Sequence, residues 1–339
     1  MMKRFHVIAE MSSNHNQSLE RALKIVDAAA DAGVTAVKLQ TYTADTMTLD
    51  IAEGEFFISD PDSLWKGESL YGLYQKAYTP WEWHKPIFER CKERGILGFS
   101  TPFDATSVDF LEDLNVPMYK IAAFENGDIP LLKKVASTRK PVIMSIGMIC
   151  PDEISEAVAV LEENGCSDIT LLKCTSVYPA SPEFTNLLTI PDLKKRFPQC
   201  RIGLSDHTLG FGVALGAVAL GAEVIEKHFT LSRADGGVDS AFSMEPGEMS
   251  QLVKEVKQVS AARGQISYEL SESERKSLIY RRSVYVVKDI KAGDLFSSEN
   301  LRCIRPGLGC HPRFFEKLLG RRTICDLKRG TPMKLEYAK

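Results

Sequence analysis

Eight times before about residue 263, a short β-branched run gives way to an amphipathic helical pattern. No other feature of the sequence constrains the fold as much, because parallel strands joined by helical crossovers are the arrangement that such alternation allows. The strand candidates are residues 6–10, 36–40, 97–103, 118–123, 142–147, 169–175, 201–207 and 224–230. The helices between them have readable ends. Ser18 precedes a run with Leu19, Ala22, Leu23 and Val26 on one face, and Gly33 follows as a stop. Thr79-Pro80-Trp81-Glu82 is a capping-box pattern with proline at the first helical position, and Pro86 predicts a kink in the same helix. Pro151 opens another helix, and "FGVALGAVALGA" is apolar nearly all round, which predicts burial.

Eight such units fit an α/β fold of the (β/α)8 TIM barrel type, with a doubly wound sheet as the alternative. The polar residues favour the barrel. Glu10, Lys38 and Gln40, Ser100 and Thr101, Lys120, Ser145, Thr175 and Ser176, Ser205 to His207, and Lys227 with His228 all fall at or near strand ends. That is the face on which barrel enzymes carry their chemistry. After Gly264 the style changes. "GQISYELSESERKSLIYRRS" reads as a polar linker over 264–283, and 284–339 as a small β-rich module. Within that module "KDIKAGDLF" (288–296) is echoed by "CDLKRGTPM" (325–333), which suggests pseudo-symmetry.

Composition excludes some partners. Hydrophobic residues at 44% and charged residues at 26% are ordinary for a soluble globular protein. The net charge of −3 comes without a basic block, so neither nucleic acid nor an anionic membrane is the expected partner. The start "MMKRFHVIAEMSSNHNQ" turns polar too early for a signal peptide, and no long apolar run predicts a membrane span. Eight cysteines occur singly, with no C-x-x-C pair, as expected for reduced thiols in a cytoplasmic protein.

His207 and His228 end strands that are neighbours in the predicted barrel, so the two imidazoles could share one divalent ion and leave positions open for water and substrate. A lone strand-end histidine is more often a satisfied core residue. Lys38, Lys120, Lys173 and Lys227 all fall within strands, where lysine is rarely buried unless paired. They read either as ion pairs beneath helices or as anion-binding or Schiff-base groups. Ser145 and Ser205 add hydroxyl donors nearby, suited to a phosphate or carboxylate. Glu10, Glu125 and Asp239 are candidate acid–base or hydroxyl-binding groups, with Gly236-Gly237 giving the loop before Asp239 freedom to reach over the barrel mouth.

Together, "IAEMSSNH", "VKLQTYT", "STPF", "YKIAAFE", "KCTSVYP", "GLSDHTLG", "EKHF" and "IRPG" resemble the sialic acid synthase family, in order and along nearly the whole chain. The resemblance implies a barrel followed by an antifreeze-like (SAF) domain. It also implies a metal-dependent (Mn, Co or Mg) condensation of phosphoenolpyruvate with an amino-sugar aldehyde in a domain-swapped homodimer. Position by position, it implies that His207 and His228 hold the metal. Lys38, Thr101, Lys120, Ser145, Ser176, Tyr178 and Ser205 surround phosphoenolpyruvate. Gln40, Phe124, Glu125 and Asp239 face the sugar, Glu10 lies near the reacting carbons, and Arg305 reaches the partner subunit's site. Two positions depart from the family pattern. Ala123 stands where many members have serine, and Ser176 where N-acetylneuraminate enzymes have asparagine, so phosphate binding rests more on Lys120, Ser145 and Ser205.

"LYGLYQKAYTPWEWHKPIFE", "AAFENGDIPLL" and "LSRADGGVDSAFSM" resemble the branch of the family acting on a 6-deoxy sugar. The implied substrate is 2,4-diacetamido-2,4,6-trideoxy-L-altropyranose, with Phe124 as an apolar wall beside the methyl group. Synthesis of N-acetylneuraminate or legionaminate is the alternative within the family. A Schiff-base aldolase using Lys120 or Lys173 and a non-catalytic sugar-binding protein are the alternatives outside it.

Overall fold

A computed structural model describes residues 6–61 and 63–339. The chain divides into two compact units, one ending at Gly264 and one running from Gln265 to Lys339. In the first, eight parallel strands close on themselves. They are β1 (His6–Glu10), β2 (Ala36–Thr41), β3 (Leu97–Pro102), β4 (Tyr119–Ile121), β5 (Val142–Ser145), β6 (Ile169–Cys174), β7 (Arg201–Ser205) and β8 (Val224–His228). The ring is sealed by β1 against β8, with Glu10 opposite His228. It is the (β/α)8 barrel, not a doubly wound sheet. β4 is shorter than the sequence suggests and meets β3 at one pair, Ser100 opposite Tyr119.

The period of two along each strand sorts the interior into layers. Ile8, Ala36, Phe99, Ile143, Leu172 and Val224 pack together along the axis as an apolar floor. One step of two residues higher on the same strands come Glu10, Lys38, Thr101, Ser145, Cys174 and Glu226. The floor is tight at Gly203 of β7. A Cβ there would come within 2.4 Å of the Val224 carbonyl oxygen and 2.6 Å of Leu172 Cδ2. Lys173 and Lys227 have the opposite parity and leave the barrel interior. Lys173 Nζ donates to the Cys174 carbonyl at 2.9 Å.

The surrounding helices bury one face each against the strands. Leu19–Ala32 is capped by Ser18, whose hydroxyl accepts from Arg21 N–H, and stops at Gly33 with φ 86°. Helix Trp81–Glu93 runs through Pro86. Thr79 does not cap it, because its hydroxyl is engaged by His15 Nε2 at 3.1 Å. Helix Gly212–Ala219 is less buried than its composition suggests, with Gly212 and Ala219 exposed. Between β2 and Trp81 the chain makes a long excursion holding two short helices, Ala44–Met47 and Leu70–Ala77.

His15 and His84 are fully buried beside this excursion, His84 Nε2 lying 2.8 Å from Thr41 Oγ1. Burial pulls both imidazoles down to about 4. A histidine depressed in the folded state contributes stability above its ordinary pKa of about 6.5, and this is lost as pH falls toward the folded value. We expect each to remove about 2 kcal/mol between pH 7 and 4.5. Urea unfolding of wild type and His84→Gln across that range should show the variant's pH slope shallower by this amount. Parallel slopes would show that His84 is not held neutral.

The C-terminal unit has its own core of Val284, Val286, Ile290, Phe296, Leu301, Leu318, Leu327 and Met333. Two antiparallel strands, β9 (Ser283–Val286) and β10 (Leu301–Ile304), form its sheet. The sequence echo has a structural counterpart. Ile290 and Leu327 exchange both backbone hydrogen bonds at 2.8 Å. Asp289 accepts from Arg329 N–H at 2.7 Å, and Asp326 accepts from Ala292 N–H at 2.8 Å. Each half of the repeat therefore closes the other's turn. The segment 264–282 is exposed throughout and contains the short helix Glu272–Ser277, capped by Ser271.

Candidate active site at the barrel mouth

Above the apolar floor, four buried charged groups form one network. Lys38 makes an ion pair with Glu10, donates to Thr101 Oγ1 at 3.2 Å and lies 3.8 Å from Glu226 Oε1. Lys120 donates to Ser145 Oγ at 2.8 Å and reaches across the barrel to Glu226 Oε1 at 3.1 Å. Ser205 Oγ donates to the same oxygen at 3.3 Å. Glu10, Lys38, Thr101, Lys120, Ser145 and Ser205 are thus brought together. The hub between them is Glu226, which sequence reasoning left outside the named site. Its signal was its parity: two residues before His228 on β8, it must share that residue's inward face.

The two carboxylates are driven apart in acidity. Burial pushes Glu10 up to about 7, with Lys38 opposing and the Glu226 charge adding. Burial would raise Glu226 as well, but Lys120 and Lys38 outweigh it and hold the group below the usual carboxylate range. Burial pulls Lys38 down, yet Glu10 and Glu226 prevail and hold its ammonium above the ordinary lysine value. Lys120 ends lower, burial outweighing Glu226. Glu226 is accordingly a fixed negative charge, while Glu10 can exchange a proton near neutrality. Two ammonium groups and three hydroxyls facing one space suit a small anion with phosphate and carboxylate groups.

At the rim above, the His207 and His228 ring centroids lie 5.5 Å apart, with Tyr178 4.3 Å from the first and 6.2 Å from the second. His207 Nδ1 is 3.0 Å from the Thr175 carbonyl, an acceptor, so that nitrogen carries a proton and Nε2 is the nitrogen left for an ion. Burial pulls the ring down, but Cys174 and the Thr175 carbonyl prevail and hold it above its ordinary value, so an ion would displace a proton from Nε2. His228 Nδ1 is buried without a hydrogen-bond partner. Burial holds His228 well below its ordinary value, so it stays neutral. A neutral ring with an orphaned buried nitrogen beside a second available imidazole nitrogen fits a divalent ion. Among the described residues no group of three or more His, Cys, Asp and Glu side chains is placed to hold one. The pair alone would therefore leave coordination positions open for ligands other than protein.

Lys227 serves this rim from outside the barrel. Its Nζ donates to Asp206 at 2.9 Å and to the carbonyls of Thr208 and Gly210 at 2.7 Å each. It thereby ties the loop carrying His207 to the strand carrying His228. All three ionisable residues at the end of β8 thus have distinct places: Glu226 inward in the charged layer above the floor, Lys227 outward on the loop, His228 inward at the rim.

A cavity of about 460 Å³ opens beside His228, and Gln40, Phe124, Glu125, Ser176, Tyr178 and Asp239 line it with that histidine. Asp239 is held by the hydroxyls of Ser12 and Ser13 from the loop after β1. Burial raises it above the usual carboxylate range. Glu125 is pushed up to about 7 by burial, against Lys120. Phe124 stands at the opening and is 64% exposed. Most of the apolar lining comes from the excursion after β2, of which the sequence singles out only the stretch from Leu70 on, through its family likeness and without a place in the site. Arg305 lies in the C-terminal unit, exposed, in a pocket it shares with Arg281, Arg282 and His311.

The family model described as the NeuB family matches residues 25–268, and that of the SAF domain residues 281–335. Over 332 residues the chain is 42% identical to the pseudaminic acid synthase of Campylobacter jejuni, covering 98% of this chain and 96% of that one. It is 41% identical over 331 residues to the pseudaminic acid synthase of Helicobacter pylori, covering 97% and 96%. The N-acetylneuraminic acid synthetase of Leptospira borgpetersenii superposes with a TM-score of 0.72 at 33% identity, over 82% of this chain and 91% of that one. Motifs, barrel and terminal module agree with these likenesses along almost the full length, and the chain belongs to the NeuB family.

Proposed function

We propose that this chain condenses phosphoenolpyruvate with 2,4-diacetamido-2,4,6-trideoxy-L-altropyranose and water to give pseudaminic acid and phosphate. The observation that carries the reading is the placement of the Lys38–Lys120 anion site directly below the paired histidines and the sugar-sized cavity. The full-length relatedness to two pseudaminic acid synthases supports the choice of sugar.

His207 and His228 would hold a divalent ion, which when bound supplies Lewis-acid polarisation of the sugar's aldehyde oxygen. Lys38, Lys120, Ser145, Thr101 and Ser205 bind the phosphate and carboxylate of phosphoenolpyruvate, with Ser176 and Tyr178 at the edge of the space. This offsets the repulsion of a multiply charged anion by Glu226. Gln40, Glu125 and Asp239 orient the open-chain sugar so that its aldehyde carbon faces C3 of phosphoenolpyruvate. The C3–C1 bond forms, the aldehyde oxygen takes a proton, and positive charge develops at C2. Water adds to C2, and Glu10, near neutral in acidity, accepts the proton it releases. Breaking the C2–O bond then expels phosphate and leaves the keto acid. Lys173 is outside the barrel interior, and Lys120 is engaged with Glu226 and Ser145. Both placements disfavour a Schiff-base aldolase.

Mass spectrometry of products from phosphoenolpyruvate with the altrose and the N-acetylneuraminate and legionaminate precursors tests the assignment directly. With bridging-¹⁸O phosphoenolpyruvate, the label should appear in released phosphate. Label retained in the sugar acid would mean attack at phosphorus, and Glu10 would then have no proton to accept from water at C2.

We further infer a homodimer in which Arg305 completes the partner's sugar site. The exposed Ile266 and Tyr268, in the segment that opens the terminal unit, support this, since apolar side chains that are 95% and 97% exposed gain from burial against a second chain. The described residues contain no helix long and apolar enough to cross a membrane. All eight cysteines are unpaired, which fits a reducing compartment, and we place the reaction in the cytoplasm.

A further inference from the structure

We infer that the excursion between β2 and helix Trp81–Glu93 is the sugar-specificity element, and that its apolar wall receives the methyl of the acetamido group on C4. This rests on the condensation proposed above and names the residues that would choose its sugar. The cavity has two unlike faces. Strand ends and the Asp239 loop supply hydrogen-bonding groups that include Gln40, Glu125 and Asp239. Met47, Ile58, Trp65, Leu70 and Leu73, all from the excursion, supply an opposing wall. The indole N–H is the one strong donor among those five side chains, and it is already engaged, donating to the Val238 carbonyl at 3.2 Å. These five side chains therefore offer a ligand apolar surface only, whereas Tyr42 and Tyr74 of the same excursion bring phenolic hydroxyls to the cavity. A hydroxyl placed against the five, away from those phenols, loses its water without gaining a partner.

Position decides which part of the sugar meets this wall. Trp65 approaches Tyr178 at 6.3 Å between ring centroids, and Tyr178 in turn approaches His207 at 4.3 Å. The link from Trp65 to the histidines thus runs through Tyr178, one ring removed. With the aldehyde carbon at the histidines, the far carbons of the open chain fall toward the wall. There a second acetamido group can turn its methyl outward against Leu70 and the indole face, while its amide stays toward the polar side. The bond from Trp65 to Val238 also fixes the wall to the residue before Asp239, so apolar and polar faces are held in register.

The test compares kcat/KM for 2,4-diacetamido-2,4,6-trideoxy-L-altrose with that for the same sugar bearing a hydroxyl at C4, 2-acetamido-2,6-dideoxy-L-altrose. Wild type should prefer the first by about 10²-fold, the discrimination expected of an apolar pocket. Two variants are measured, Trp65→Ala and the double variant Ile58→Thr with Leu70→Asn, so that one informs if the other fails to fold. Either should cut the preference to roughly tenfold or less, with KM for phosphoenolpyruvate unchanged. Equal losses on both sugars, with the ratio preserved, would overturn the wall's role and leave the reaction standing. A wild type that favours N-acetyl-D-mannosamine over both altroses would overturn the proposed function itself, and the inference with it.

Discussion

Replacing His207 or His228 by alanine should reduce turnover to background while the barrel remains folded. What each ring does without a metal decides the outcome. His228 Nδ1 is buried and unpartnered, so the side chain carries an uncompensated desolvation cost. Deleting it removes that cost together with some packing against Phe242, whose ring lies 4.9 Å away. The two changes oppose each other, and in the presence of EDTA the variant should lie within about 1 kcal/mol of wild type. With Mn²⁺ the comparison separates. An ion at a hundredfold excess over its dissociation constant stabilises the wild type by ~2.7 kcal/mol, a rise in Tm of roughly 5 °C for a domain of this size. Neither variant should show that rise. EDTA should abolish wild-type activity, and Mn²⁺, Co²⁺ or Mg²⁺ should restore it. Full activity after exhaustive chelation would overturn the role of the pair, and so would an unchanged Mn²⁺-dependent Tm rise in the double alanine variant.

Which parts of the fold were legible follows from which forces act locally. The barrel was, because few folds besides a closed parallel barrel give a period of two with a polar residue at each strand end. The sequence left all four strand lysines open between ion pairing and anion binding, and the structure separates them, with Lys38 and Lys120 inside and Lys173 and Lys227 outside. Glu226 obeys the same parity, but beside His228, with its more conspicuous metal-binding chemistry, a single carboxylate carried little signal of its own. Other features depended on distant partners. Thr79 has the sequence context of a helix cap, yet its hydroxyl lies against His15, 64 residues away in the chain. The wall draws Ile58 and Trp65 from a stretch without strand or helix periodicity and Leu70 from the start of helix Leu70–Ala77. It becomes a surface only when the excursion folds over the mouth and Trp65 meets the Val238 carbonyl, 173 residues on. In the terminal unit the echo of "KDIKAGDLF" in "CDLKRGTPM" did carry its own physics, since Asp289 and Asp326 each accept the turn N–H of the other copy.

Two inactive variants, Arg305→Ala and His207→Ala, should restore activity when produced together. If Arg305 completes the partner's site, as proposed, the statement becomes quantitative. In a mixed dimer, the intact barrel of the Arg305→Ala chain receives Arg305 from the His207→Ala chain, and that site is whole. The other site carries both lesions. Random pairing gives about half mixed dimers, each with one working site of two, and hence roughly a quarter of wild-type activity. If Arg305 served its own barrel, every site in the mixture would carry one lesion and no activity would return. The surroundings of Arg305 make loss of charge the informative change. It is exposed, and it lines a pocket with two further arginines, Arg281 and Arg282, so its removal costs no core packing. Under the exchange, its guanidinium supplies a planar set of donors to the hydroxyls of the open-chain sugar at the partner's barrel mouth. A monomer by light scattering, or verified mixed dimers without recovered turnover, would refute the exchange and leave Arg305 a surface residue.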